Sequence, residues 1–111
     1  MEKEVAERVL RLVGLGVRSR GAVVGVEQVR EAARKGKLKV AVVATDASRH
    51  SVAKVVPLLE AKRIRVVEVS SAAALGRAVG REQTTAVGIV DGQLAKGIRA
   101  LADSPRDRGT T

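Results

Sequence analysis

A chain of 111 residues has room for one compact domain with its own core, and not for two ordinary ones. Hydrophobic residues make up 45 % of it while Phe, Tyr and Trp are absent, which argues against RRM sheets, most OB-fold grooves and other modules that stack bases on rings. Lys and Arg number 21 against 12 Asp and Glu, a formal charge of +9 that makes polyanions the natural partners.

From Glu2 to about Val13, the residues Val5, Val9, Leu12 and Val13 fall at helical spacing, with Glu4, Glu7, Arg8 and Arg11 on the other side. Gly14, Gly16 and Gly21 then surround Arg18 and Arg20, so the sequence predicts that the helix stops and a basic loop follows. A very short strand, Ala22 to Val24, comes next. Gly25 precedes a second helical stretch, about Glu27 to Lys35, with Val26, Val29, Ala32 and Ala33 as apolar positions. It closes in Arg34-Lys35-Gly36, cations in the last turn and glycine beyond. Lys39 to Ala44 is a short, β-branched apolar run expected at the centre of a sheet covered on both faces. Thr45, Asp46 and Ser48 supply turn and N-cap chemistry before a helix from about Ser51 to Ala61, in which Pro57 demands a late start or a bend. Ile64 to Val69 reads as a strand, Ala72 to Val79 as a short helix ended by Gly80, and Thr85 to Val90 as a further strand. Asp91-Gly92 reads as a turn and Gln93 to Ala102 as the last helix. Helices alternating with buried strands imply an α/β fold, a three-layer α/β/α sandwich, over residues 1–102. Residues 103–111 lack apolar content and are expected to form a mobile basic tail. No apolar run approaches the roughly 20 residues of a membrane span. The charged opening Met1-Glu2-Lys3-Glu4 is unlike a signal peptide, so a cytoplasmic protein is expected.

Catalytic chemistry is sparse. Without cysteine there is no disulfide framework, thiol nucleophile or thiolate metal site. The string Gly14 to Gly21 lacks the Gly-Lys-Ser/Thr ending of a phosphate loop and follows a helix rather than a strand. Asp46 closes a buried strand without a carboxylate partner, since Asp91 lies in a turn and Glu68 within a strand, and a turn or cap role is expected for it. His50 is the only histidine, with no Ser, Cys or Asp at a spacing that would make it a base. No catalytic residue, metal site or cofactor is expected, and the chain does not read as an enzyme. The segment Gly25-Val26-Glu27-Gln28-Val29-Arg30 is more informative. A glycine at a helix entrance leaves backbone N–H groups open at the positive end of the helix dipole. Gln28 can donate and accept, Glu27 can accept from a guanine amino group, and Arg30 and Arg34 can meet phosphates.

Several pieces recur in one order: a helix-opening glycine followed by a polar pair, then Gly36 and a Lys/Val strand ending in Ala44-Thr45-Asp46-Ala47-Ser48. A proline-interrupted helix follows, then Val69-Ser70-Ser71 and Leu75-Gly76-Arg77-Ala78-Val79-Gly80. In this order and spacing the chain resembles the L7Ae family of ribosomal proteins, particularly its bacterial YlxQ-like branch, over about residues 5–100. The resemblance implies a four-stranded mixed sheet inside the sandwich and a tolerated proline at Pro57. It implies a non-enzymatic RNA-binding protein, probing kink-turns, in which tandem sheared G·A pairs bend an RNA duplex sharply. The helix after Gly25 and Val26 would read those pairs through Glu27 and Gln28, and Val69-Ser70-Ser71 would pack on an extruded nucleotide. Arg18 and Arg20 match a basic loop expected to touch the RNA backbone. Glu31 stands where the family usually has Lys, and Glu-Gln where its strongest binders have Asn-Glu. The implied partner is structured RNA, ribosomal RNA among the candidates, bound by a monomer with no small-molecule substrate. The alternative is an accessory module of the same fold with nonspecific RNA or protein binding.

Overall fold

The apolar run ending at Ala44 dictates the architecture, because such a strand is stable only with both faces covered. In the computed structural model, which describes residues 1–103, the elements run α1 (Lys3–Arg18), β1 (Ala22–Val24), α2 (Val26–Arg34), β2 (Val40–Ala44), α3 (Arg49–Ala61), β3 (Arg65–Val69), α4 (Ala72–Ala78), β4 (Ala86–Ile89) and α5 (Gly92–Ala102). The strands form one sheet in the order β1-β4-β2-β3. β2 and β3 are parallel, and β4 is antiparallel to both β1 and β2. Val40, Val42 and Ala44 face a layer of α1, α4 and α5, while Ala41 and Val43 face α2 and α3. The α/β/α sandwich around a mixed four-stranded sheet is therefore the one the sequence predicts. Its two cores close with aliphatic side chains alone. Val9, Val13, Leu75 and Ile98 on one side, and Val29, Val55 and Leu59 on the other, are fully buried, each burial contributing roughly 1.5–3 kcal/mol.

The register fixes two poles. Gly25, Thr45, Ser70 and Thr85 gather where β1, β2 and β3 end and β4 begins, and Arg20, Lys39, Ile64 and Val90 gather at the opposite end. β2 spans five residues, so the poles lie roughly 16 Å apart at about 3.3 Å per residue.

The predicted stop at Gly14 is corrected: α1 continues through Gly14 and Gly16 to Arg18, so Arg18 is helical and the basic loop shrinks to Ser19-Arg20-Gly21. The glycines serve close approach. A Cβ at Gly14 would lie 2.8 Å from the Ala78 carbonyl oxygen, and one at Gly16 would lie 3.2 Å from the Ala22 Cβ and 3.3 Å from a Leu94 methyl.

Helices α1 to α4 end in the same two-bond motif. Gly21 N–H donates to the Gly16 carbonyl and Arg20 N–H to Val17, and the same pairings recur at Lys37/Gly36, Ile64/Arg63 and Arg81/Gly80. The left-handed residue is glycine in two cases, Gly36 and Gly80, and arginine in the other two, Arg20 and Arg63. Pro57 sits inside α3 without ending it. Its missing N–H leaves the Ala53 carbonyl without its helical donor, but Ala53 and Pro57 are exposed, so solvent meets the gap. Asp91 is the N-cap of α5, its carboxylate accepting from Leu94 N–H at 2.9 Å. Asp103, assigned to the tail from sequence, is instead the C-cap of α5 and is held by Arg65 at 2.7 and 3.0 Å. The remainder of the expected tail, 104–111, lies outside the described residues.

Candidate functional site

At Gly25 the backbone adopts φ 102°, ψ 157°, a region essentially reserved for glycine. Gly25 N–H donates to the Ala86 carbonyl at 2.9 Å, fixing the start of α2 to the start of β4, and Val29 N–H closes the first helical bond onto Gly25 at 3.0 Å. The N–H groups of Val26, Glu27 and Gln28 precede that first bond and have no acceptor within the helix, and no side chain caps them. They face the solvent pole at the positive end of the α2 dipole.

Two adjoining hollows flank this opening. The first, about 410 Å³, is lined by Val24 to Gln28 together with Ser51 and Lys54 of α3 and Arg81 of the α4–β4 loop. It combines two cations, one carboxylate, one carboxamide and the open N–H groups. The second, about 380 Å³, shares Val26 and Ser51 and continues past Asp46 to Ser48, Ala72 and Gln83 to Thr85. It is mostly hydroxyl and amide, and its one carboxylate is partly engaged, since Asp46 accepts from Ala72 N–H at 2.7 Å. The cap role expected for Asp46 is thus met, at α4 rather than α3. Ser48 caps α3, accepting from Ser51 N–H at 3.1 Å. The groove can hold an anionic, heteroatom-rich ligand with both donors and acceptors on its edges.

The structure brings Gly25, Val26, Glu27 and Gln28 together and adds Ser70 and Ser71 at the same pole. Glu27 is exposed, its carboxylate 3.9 Å from Arg30. Arg30 itself turns away from the opening: it is half-buried and donates to the Lys54 carbonyl, beside the gap that Pro57 leaves in α3. It ties α2 to α3 rather than standing free for a phosphate. Glu31 is paired along its own helix with Lys35 at 3.2 Å and Arg34 at 3.9 Å. Val69 is 4 % exposed, so its side chain belongs to the core; it is the last residue of β3, as its sequence pattern predicts, rather than part of the loop surface that the resemblance implies. Ser71 is the N-cap of α4, accepting from Ala74 N–H at 3.0 Å, which leaves Ser70 as the exposed member of that loop. Arg18 and Arg20 lie toward the opposite pole. Arg18 lines a separate groove between α1 and α4 with Arg11 and Arg77. Sequence reasoning missed Lys54, Ser51 and Arg81; only the polar run Arg81-Glu82-Gln83 before a strand gave any local signal.

A sequence model of the ribosomal protein L7Ae/L30e/S12e/Gadd45 family matches residues 7–98. The chain belongs to this family. It is similar to the RNA-binding protein YlxQ of Bacillus subtilis (strain 168), with 30 % identity over 92 residues, 83 % of this chain and 92 % of that protein. Among solved structures it is similar to a Bacillus halodurans protein of unknown function, at 30 % identity and a TM-score of 0.79, covering 86 % of this chain and 97 % of that one. The Giardia lamblia 15.5kD RNA binding protein shares the fold at 22 % identity, with a TM-score of 0.79 over 96 % of this chain and 92 % of its own. Family membership extends across all nine elements except the start of α1 and the end of α5.

Proposed function

We propose that this family member is a non-enzymatic RNA-binding protein that recognises kink-turn RNA at the Gly25 pole. The observation that carries the reading is the uncapped start of α2, with Glu27 and Gln28 exposed beside it and Lys54 and Arg81 across the hollow. A sheared G·A pair turns base edges toward the groove. Glu27 accepts from a guanine amino group, Gln28 both donates and accepts, and the backbone N–H groups with Lys54 and Arg81 meet phosphate. The second hollow, rimmed by Asp46 and Ser48, suits an extruded nucleotide held by hydrogen bonds, since the chain has no Phe, Tyr or Trp on which to stack it. The names of the similar proteins, two of which are RNA-binding, support RNA as the partner. The anion at Glu31 is offset by Lys35 and Arg34, which lessens the repulsion it presents to phosphate.

The test is fluorescence anisotropy with a labelled kink-turn RNA and a control duplex lacking the G·A pairs, across salt concentrations. Wild type is expected to prefer the kink-turn by about 1 kcal/mol or more, the scale of one good base contact. Glu27→Ala with Gln28→Ala is expected to abolish the preference and leave salt-sensitive binding. Equal binding of both RNAs by wild type would assign the chain to nonspecific RNA binding.

A further inference from the structure

The shared ending of α1 to α4 exposes a choice. Its left-handed position is glycine at Gly36 and Gly80, but arginine at Arg20, with φ 65°, and Arg63, with φ 59°. A side chain there is disfavoured relative to glycine. The helix dipole does not require these two arginines, because Arg18 already occupies the last turn of α1 and Lys62 the C-cap of α3. Both lie at the pole opposite Gly25. We propose that this second pole binds the phosphate backbone of another RNA segment, so that the protein bridges two segments, one at each end of its sheet. The inference rests on RNA being the partner and not on the kink-turn reading.

Arg20 precedes β1 at one edge of the sheet and Arg63 precedes β3 at the other. Three strand spacings separate those edges, roughly 14 Å at about 4.8 Å each. Lys39 enters β2 between them, with Lys37 and Lys62 alongside, and all five cations are exposed. None of the five forms an ion pair with a described residue. The nearby carboxylates are largely engaged: Asp91 caps α5, Asp103 is held by Arg65 and Glu31 by Lys35, leaving Glu60 in the last turn of α3. A nucleic-acid duplex carries a charge about every 1.7 Å of its axis, so a row of this length faces several phosphates at once. The Gly25 groove lies the length of β2 away, so neither segment displaces the other.

The test is Arg20→Gly with Arg63→Gly, titrated with a plain RNA duplex across salt. The slope of log affinity against log salt is expected to become shallower by about 2, roughly one per cation removed, with a melting temperature equal to or above that of wild type. Arg20→Lys with Arg63→Lys is expected to keep the wild-type slope. Donor-labelled kink-turn RNA and an acceptor-labelled duplex are expected to show energy transfer with wild type and to lose it with the glycine variant. An unchanged slope, or no energy transfer with wild type at low salt while the donor RNA is bound, overturns the proposal. So does a glycine variant that melts lower as it loses binding, because the arginines would then be serving the helix ends. Polyglutamate competing as well as duplex of equal charge would assign the pole to an acidic protein instead, and also overturn it. Because the duplex titration contains no G·A pairs, failure of the kink-turn reading leaves this result legible.

Discussion

Two helices begin at the same pole and are treated oppositely. At α4, Asp46 and Ser71 accept from Ala72 and Ala74 N–H at 2.7 and 3.0 Å, and α3 and α5 are closed likewise by Ser48 and Asp91. At α2 the N-cap is Gly25 and no side chain closes the turn. A side-chain cap is worth about 1 kcal/mol over Ala but only a few tenths over Gly, so α2, with nine residues and a glycine cap, gives up a little of the stability that α3, α4 and α5 keep. The comparison teaches that the donors of α4 hold the fold together, while those of α2 stay available to a ligand. It also relocates Ser71 from contact to support, because its hydroxyl is engaged with its own helix and presents Ser70 instead.

The largest effect on both helix starts is expected from Gly76→Ala. A Cβ there would fall 2.4 Å from the Gln83 Cα and 2.6 Å from its nitrogen, and backbone cannot yield as a side-chain tip can. The loop carrying Arg81 and Gln83 must shift, so both the closed start of α4 and the rim of the open one are disturbed. Urea unfolding is expected to show a loss of about 1–3 kcal/mol or more, together with weaker RNA binding. Gly25→Ala comes next. Nothing lies within 4 Å of its added Cβ, so the cost is purely that of φ 102°, about 1–3 kcal/mol. A loss near zero would mean that α2 can start in another conformation, and that the opening is not held by glycine. Ser71→Ala is smaller, about 1 kcal/mol, and is expected to lower the urea midpoint while leaving the preference between RNAs determined by Glu27 and Gln28.

The order and type of the elements were legible because local pattern and tertiary need coincide. Lys39 to Ala44 must be apolar on both faces, and Gly36 and Gly80 mark the left-handed ends they occupy. Gly14 and Gly16 were misread as a stop because their role is an approach by Ala78, Ala22 and Leu94, residues that adjacent sequence does not show. The site divides in the same way. Gly25, Glu27 and Gln28 announce themselves as a helix entrance, whereas Lys54 arrives from a distant helix with no signal of its own and Arg81 from a loop marked only by the polar run before β4. Arg30 read as a free cation because nothing local connects it to the proline-bearing helix it binds. Val69 reads from its own pattern as the end of a strand, which it is; only the resemblance added it to the loop, where its buried side chain does not belong.

A third kind of helix end extends the comparison at the smallest scale. Asp103 closes α5 at its C-terminus, where a carboxylate opposes the dipole, yet Arg65 of β3 grips it at 2.7 and 3.0 Å. Hydrogen bonding from the Arg65 guanidinium, aided by the charges of Arg65 and Arg99, holds the Asp103 carboxyl below its ordinary 3.8. The unfolded chain therefore binds this proton more readily than the folded one. The stabilisation is fully present above about 3.8 and is lost as pH falls through the lower folded value. Asp103 is exposed, so solvent and salt screen the pair and the effect on melting is expected to be slight. Asp103→Asn should melt a little below wild type at neutral pH and low salt, and the gap should close on acidification. A gap that persisted in acid would show that α5 is tied down by the shape of the contact rather than by its charge, setting it with the capped starts of α3 and α4 instead of apart from them.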